Sequence, residues 1–78
     1  MKLLVRNLAR TTTEDELRTL FGAHGTIEYL TLVLDAETGK SKGFGFVEMP
    51  EEEEAKAAIA GLNGQNIANH RIRVKLAN

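Results

Sequence analysis

The chain has 78 residues, 42% hydrophobic and 27% charged, with a formal net charge of −1 and no cysteine, the balance of an ordinary globular domain. That excludes a disulfide framework, a thiolate metal site and a cysteine nucleophile, and no apolar run approaches the roughly 20 residues that cross a bilayer. A chain this short buries only about 60–65% of its unfolded surface, so its core must be economical.

Lys2–Asn7 is short and apolar, with Leu3 and Val5 at alternate positions, and reads as a strand, and Arg6 interrupts it too early for a secretory signal. Thr13-Glu14-Asp15-Glu16 fits a capping box, in which Thr13 and Glu16 satisfy each other's first-turn amides. Leu17, Leu20 and Phe21 give the apolar stripe of a helix over about 14–23, with Gly25 expected to end it in the left-handed conformation. Ile27–Leu34 is a second strand, with Leu30, Leu32 and Leu34 expected inward and Tyr29, Thr31 and Val33 on the opposite face. Asp35–Lys42 carries turn residues and charge and predicts an exposed hairpin loop leading into Gly43–Met49. There, alternation puts Phe44 and Phe46 on one face and Gly43, Gly45, Val47 and Met49 on the other. Pro50 fits a first helical turn, and Glu51–Glu54 favour the positive end of the helix dipole. Ala55, Ala58, Ile59 and Leu62 form the stripe of a second helix ending near Gly61 or Gly64. Finally, Arg71–Leu76 alternates Ile72, Val74 and Leu76 with Arg71, Arg73 and Lys75, the clearest strand in the chain.

Strand, helix, strand, strand, helix, strand is the order of the ferredoxin-like split βαβ arrangement, an α+β fold with a four-stranded antiparallel sheet and both helices on one face. The other face is left open. Alternation assigns Lys2, Arg6, Lys42, Arg71, Arg73 and Lys75 to it, with Lys40 in the adjoining loop, so seven of the ten basic residues line or border it. Seven of the eleven acidic residues (Glu14, Asp15, Glu16 and Glu51–Glu54) lie at the helix starts, in the other layer. The net charge hides this separation. Phenylalanines on an open sheet leave apolar rings in water unless a ligand with flat faces covers them, and nucleobases have such faces.

These residues resemble a known family, the RNA-recognition motif, and in particular its small single-domain bacterial-type members. Lys42-Gly43-Phe44-Gly45-Phe46-Val47-Glu48-Met49 matches the family octapeptide at seven of eight positions, and Leu3-Leu4-Val5-Arg6-Asn7-Leu8 is similar to its hexapeptide. The resemblance extends over the whole chain and implies single-stranded RNA bound by stacking on Phe44 and Phe46, with single-stranded DNA a weaker ligand. Two positions depart from the family. Leu4 stands where an aromatic is usual, removing one stacking platform, a loss of about ten- to a hundredfold in affinity at roughly 1–3 kcal/mol per stacked base. Met49 replaces the last aromatic of the octapeptide, but it points to the core, where methionine fills irregular gaps.

The remaining candidates have two readings each. Tyr29 either stacks on a base or covers the sheet edge; Glu48 either pairs with a neighbouring Arg or accepts from a base amino group; Asn7 either stabilises a turn or reads a base. The charged last strand could also be a solvated edge kept charged against strand addition, and a register slip of one would bury both rings. The rival function is a peptide-binding module on the same fold. A hydrolase or metal carrier lacks a nucleophile with a neighbouring base, paired carboxylates or ligand spacing, His24 and His70 standing far apart. The expectation is therefore one non-catalytic domain over 1–78, monomeric, with no metal, cofactor or membrane partner. A cytoplasmic address is expected, or a nuclear one if the domain is a module of a larger eukaryotic protein.

Overall fold

The computed structural model describes residues 1–77 and runs β1 (Lys2–Arg6), α1 (Glu14–Gly22), β2 (Tyr29–Leu34), β3 (Ser41–Glu48), α2 (Glu52–Leu62), β4 (Asn66–Ile67), β5 (His70–Arg71) and β6 (Arg73–Leu76). The long strands form one antiparallel sheet in the order β2-β3-β1-β6, while β4 and β5 make a separate two-stranded hairpin. The chain thus has the ferredoxin-like split βαβ fold. No helix among the described residues is long and apolar enough to cross a membrane.

The period of two in the strands decides which side is buried. Leu3 and Val5 from β1, Val47 from β3 and Val74 from β6 are almost completely buried, and they meet Leu17 and Phe21 of α1 and Ala55, Ala58 and Leu62 of α2 in one core. Met49 and Ile72 complete it. The next residue along each strand faces away from the helices, so this packing fixes the register of the open face.

Each helix begins differently. Thr13 caps α1 through the full box: the Glu16 amide donates to Thr13 Oγ1 at 3.2 Å, and the Thr13 amide donates to Glu16 Oε1 at 3.1 Å. Glu51 occupies the corresponding position of α2 without a side-chain bond, so Pro50 lies before the helix and not in its first turn. There the acidic run Glu52–Glu54 supplies the dipole complement.

Other boundaries also differ from expectation. Helix α1 stops at Gly22 with Ala23 still right-handed, and Gly25 instead lies against the Glu54 carboxylate, which accepts from the Thr26 amide at 2.9 Å. Strand β2 starts at Tyr29, and of its expected inward set Leu30 is buried, Leu32 half-buried and Leu34 52% exposed. The pairing with β3 shifts between Leu32 and Leu34, at the far end of an edge strand beyond helical cover. Ser41 and Lys42 belong to β3, not to the loop. The last strand is broken at Ile72: its amide donates to Gln65 O and its carbonyl accepts from the Gly64 amide, which turns Arg71 out of the main sheet into the β4–β5 hairpin.

Candidate nucleic-acid interface

Side chains on the uncovered face stand in cross-strand rows. Tyr29, Glu48 and Lys2 form one; Thr31, Phe46, Leu4 and Lys75 form the next; Arg6 and Arg73 face each other in a third. Phe44 lies at the level of the third row, one residue from Gly45, the partner of Val5. Both rings are half-buried and stand on the open side, since Gly43, Gly45, Val47 and Met49 alternate with them and are buried. Their centroids are 6.2 Å apart and their planes cross at 87°, an edge-to-face pair.

Gly45 lets β2 lie this close. A β-carbon there would come within 2.5 Å of the Thr31 carbonyl oxygen, a backbone atom that cannot swing aside. Gly43 has φ +85°, a conformation that L side chains rarely adopt, and its carbonyl accepts from the Leu8 amide at 2.8 Å. The two glycines of the octapeptide thus set the backbone on which the rings are mounted.

No charge around the rings is paired with a carboxylate among the described residues. Lys2 Nζ lies 4.8 Å from the Phe46 ring centroid, a cation–π contact worth about 0.5–1 kcal/mol at an exposed site. Arg6, Lys42, Arg73 and Lys75 are exposed. Among the described residues the only ion pair within 4.0 Å joins Lys56 to Glu52 on α2. Glu48 therefore pairs with no arginine; its strand neighbours are Lys2 and Tyr29. Tyr29 is 57% exposed on the edge strand, where it has room either to stack or to shield the edge.

Two candidates have structural duties or a different setting. Asn7 adopts φ +60° and its Nδ2 donates to the Arg71 carbonyl at 2.8 Å, so its side chain ties the end of β1 to the β4–β5 hairpin. Arg71 is exposed beside that tie, bordering the open face from the small hairpin and not from the main sheet. Lys40 lies in the β2–β3 loop as expected.

A family model described as the RNA recognition motif matches residues 3–73. The chain belongs to this family. Glycine-rich RNA-binding protein 1 of Mycosarcoma maydis is 46% identical over 77 residues, 99% of this chain, which spans 44% of that relative's length. RbpA of a Nostoc species is 40% identical over 77 residues, and the match covers 76% of it. Among solved structures, the crystal structure of RNA Binding Protein PG1 superposes with a TM-score of 0.95 at 38% identity, covering 99% of this chain and 93% of that one. A complex titled Sxl-lethal protein with RNA superposes at 0.94 and 36% identity, covering 99% of this chain and 46% of that one.

One basic group beside the rings of this RNA recognition motif escaped the alternation argument. Arg10 is in a loop, where a period of two says nothing, yet it lines a cleft of about 540 Å³ together with Asp35, Thr38, Lys40, Lys42 and Phe44. It is brought there by the long-range bond from the Leu8 amide to Gly43, which no local spacing reveals. Asp35 in the same cleft is held below the usual carboxylate range, chiefly by the Thr38 backbone amide and then the Glu37 amide, with Arg10 adding to the effect.

Proposed function

We propose that this domain binds single-stranded RNA without catalysing a reaction on it, stacking bases on Phe44 and Phe46 and neutralising phosphates with Lys2, Arg6, Lys42, Arg73 and Lys75. The observation that carries this reading is a pair of partly exposed rings on the uncovered sheet face, amid cations that have no carboxylate partner among the described residues. Leaving such groups in water does nothing for the fold, whereas bases and phosphates satisfy both together. Relatives named as RNA-binding proteins and a solved neighbour titled as an RNA complex support the same reading.

The ring geometry favours an unpaired strand. Bases lying flat on two rings whose planes cross at 87° are themselves turned through about a right angle, so they cannot stay stacked on one another. A duplex forbids that rotation, while a single strand with splayed bases permits it. Lys2 sits over Phe46 in the free domain; a base taking that face displaces the ammonium, which is then available to a phosphate. Single-stranded DNA offers the same rings and charges without the 2′-hydroxyl, and is the weaker ligand in this reading.

The test is titration of Phe44→Ala and Phe46→Ala with an unstructured oligoribonucleotide. Each variant loses about 1–3 kcal/mol of binding free energy and keeps its thermal unfolding transition; unchanged affinity removes both rings from the interface. Affinity that falls steeply with salt supports phosphate contacts, and salt-insensitive binding turns the reading towards an apolar peptide.

A further inference from the structure

We infer that Glu48 sets the base preference of the open face: its carboxylate accepts from the N1–H and N2–H groups of a guanine stacked on Phe46, so the domain selects RNA with a guanine at that position. This rests on the RNA-binding reading and deepens it from a class of ligand to a base.

Glu48 differs in sign from everything around it. It is the one acidic residue in the described strands of the main sheet, whose uncovered face otherwise presents Lys2, Arg6, Lys42, Arg73 and Lys75. A carboxylate there repels the phosphates that the cations attract, and it points away from the core. Nor is it paired with a neighbour. Among the described residues no Lys or Arg nitrogen lies within 4.0 Å of it, and Lys2, its partner across β1, turns its Nζ to the Phe46 ring instead.

The group is also well placed. Glu48 is half-buried, its carbonyl accepts from the Glu28 amide at 2.8 Å, and the next amide, Met49, donates to the Met1 carbonyl at 2.9 Å. The end of β3 is thus bonded on both sides. Tyr29 and Lys2 flank Glu48 across the strands, so its oxygens are open chiefly above the sheet. Phe46 and Glu48 are two residues apart on one strand face, roughly 7 Å. That is the reach of a purine lying on the ring with its Watson–Crick edge turned to the carboxylate.

Hydrogen-bond chemistry then chooses the purine. A carboxylate is acceptor-only and has two oxygens. Guanine offers two adjacent donors on its Watson–Crick edge and satisfies both. Adenine and cytosine offer one amino group beside an acceptor nitrogen, and uracil offers one N–H between two carbonyls, so each sets an acceptor against a carboxylate oxygen. Bonds to an ionised acceptor are about twice as strong as neutral ones, which makes the mismatch costly.

The experiment titrates wild type and Glu48→Gln with octauridylate and with octamers whose central uridine is replaced by guanosine, or by inosine, which keeps N1–H and lacks the N2 amino group. Wild type binds the guanosine octamer about tenfold more tightly than octauridylate, the discrimination of one well-formed bidentate pair, and inosine forfeits most of that gain. Glu48→Gln, which keeps its thermal unfolding midpoint, weakens binding of the guanosine octamer and strengthens binding of octauridylate, because one change removes both the paired acceptor and the repulsion. Equal wild-type affinity for all three octamers, a guanosine preference that survives in Glu48→Gln, or a change of the same sign and size for every octamer overturns the assignment while the RNA-binding reading stands. The last of these would make Glu48 a counter-charge for the ammonium that a base displaces from Phe46. A wild type that binds none of the octamers fails both readings together.

Discussion

Phe21 and Phe46 are the same side chain in opposite settings. Under the helices, Phe21 is completely buried in the core with Leu17, Leu3 and Ala55; across the sheet, Phe46 is only partly buried, beneath an ammonium group. The two environments are separated by a single layer of backbone, and in β3 they alternate residue by residue: Val47 is buried, and Phe46 and Glu48 on either side of it are not. Stability is thus concentrated on one face and, in the proposed reading, recognition on the other, and substitutions should sort by face.

The largest expected effect is on the buried side. Phe21→Ala costs about 3–5 kcal/mol of stability, a large part of the roughly 5–15 kcal/mol that holds a domain together. Chemical denaturation should show a much lower midpoint for it, and close to wild type for Phe46→Ala; equal losses would mean that the open-face ring is part of the core. Gly45→Ala, on the buried side of β3, bears on both faces: its methyl group would press on the Thr31 carbonyl, and overpacking of this kind costs about 1–3 kcal/mol. Because the strain separates β2 from β3, it should impair binding as well as folding, unlike either phenylalanine substitution.

The third prediction is a gain on the open face. Leu4 is half-buried, directly opposite Phe46 and beside Lys75, so Leu4→Tyr sets a ring next to the existing platform. It should tighten RNA binding by up to about 1–3 kcal/mol with little change in the unfolding midpoint. An unchanged dissociation constant would mean that no base reaches β1.

How much of this was legible in the sequence depends on whether a residue's neighbours are local. The box at Thr13–Glu16, the alternation of Val47 with Phe46 and the stripe Ala55, Ala58, Leu62 are set by spacing within one element, and the structure agrees with them. Arg71 is different. Its alternation with Ile72 continues the strand, but the Ile72 backbone bonds to Gln65 and Gly64, partners that alternation cannot identify. Leu34 has the composition of an inward residue and lies beyond the helices that would have covered it. Arg10 is placed by a bond between segments 35 residues apart in sequence, from Leu8 to Gly43. Asn7 was readable only as a choice between turn and base contact, and its bond goes instead to Arg71 O, 64 residues away, tying the end of β1 to the β4–β5 hairpin.

Smaller effects come from the hairpins that flank the two faces. Ala68 has φ +52° and Asn69 φ +67° in the two-residue turn between β4 and β5, the mirror-image turn that suits Asn-Gly and not Ala. A left-handed alanine costs about 1–2 kcal/mol, part of which glycine returns as backbone entropy. Ala68→Gly should therefore stabilise the domain by about 0.5–1 kcal/mol without altering RNA affinity, since this turn is outside the main sheet. A loss of stability would show that the turn does not hold Ala68 left-handed in solution.

The β2–β3 loop bears on the recognition face through Asp35, whose effect depends on pH. Its carboxylate is held below the ordinary value of 3.8, chiefly by the Thr38 amide and then the Glu37 amide, with the Thr38 hydroxyl and Arg10 contributing. A group whose pKa is depressed by folding stabilises the folded state fully above its ordinary value, and that contribution is lost as pH falls through the folded value. The Glu37 and Thr38 amides should accordingly keep their shifts at neutral pH and move together below pH 3.8, while Val5 and Val47 amides in the central strands do not yet respond. Asp35→Ala should abolish that transition and loosen the loop already at neutral pH, seen as faster exchange of the same two amides. If the loop amides and the strand amides instead move as one, the hairpin is not an independent unit, and acid would be reporting on the whole domain.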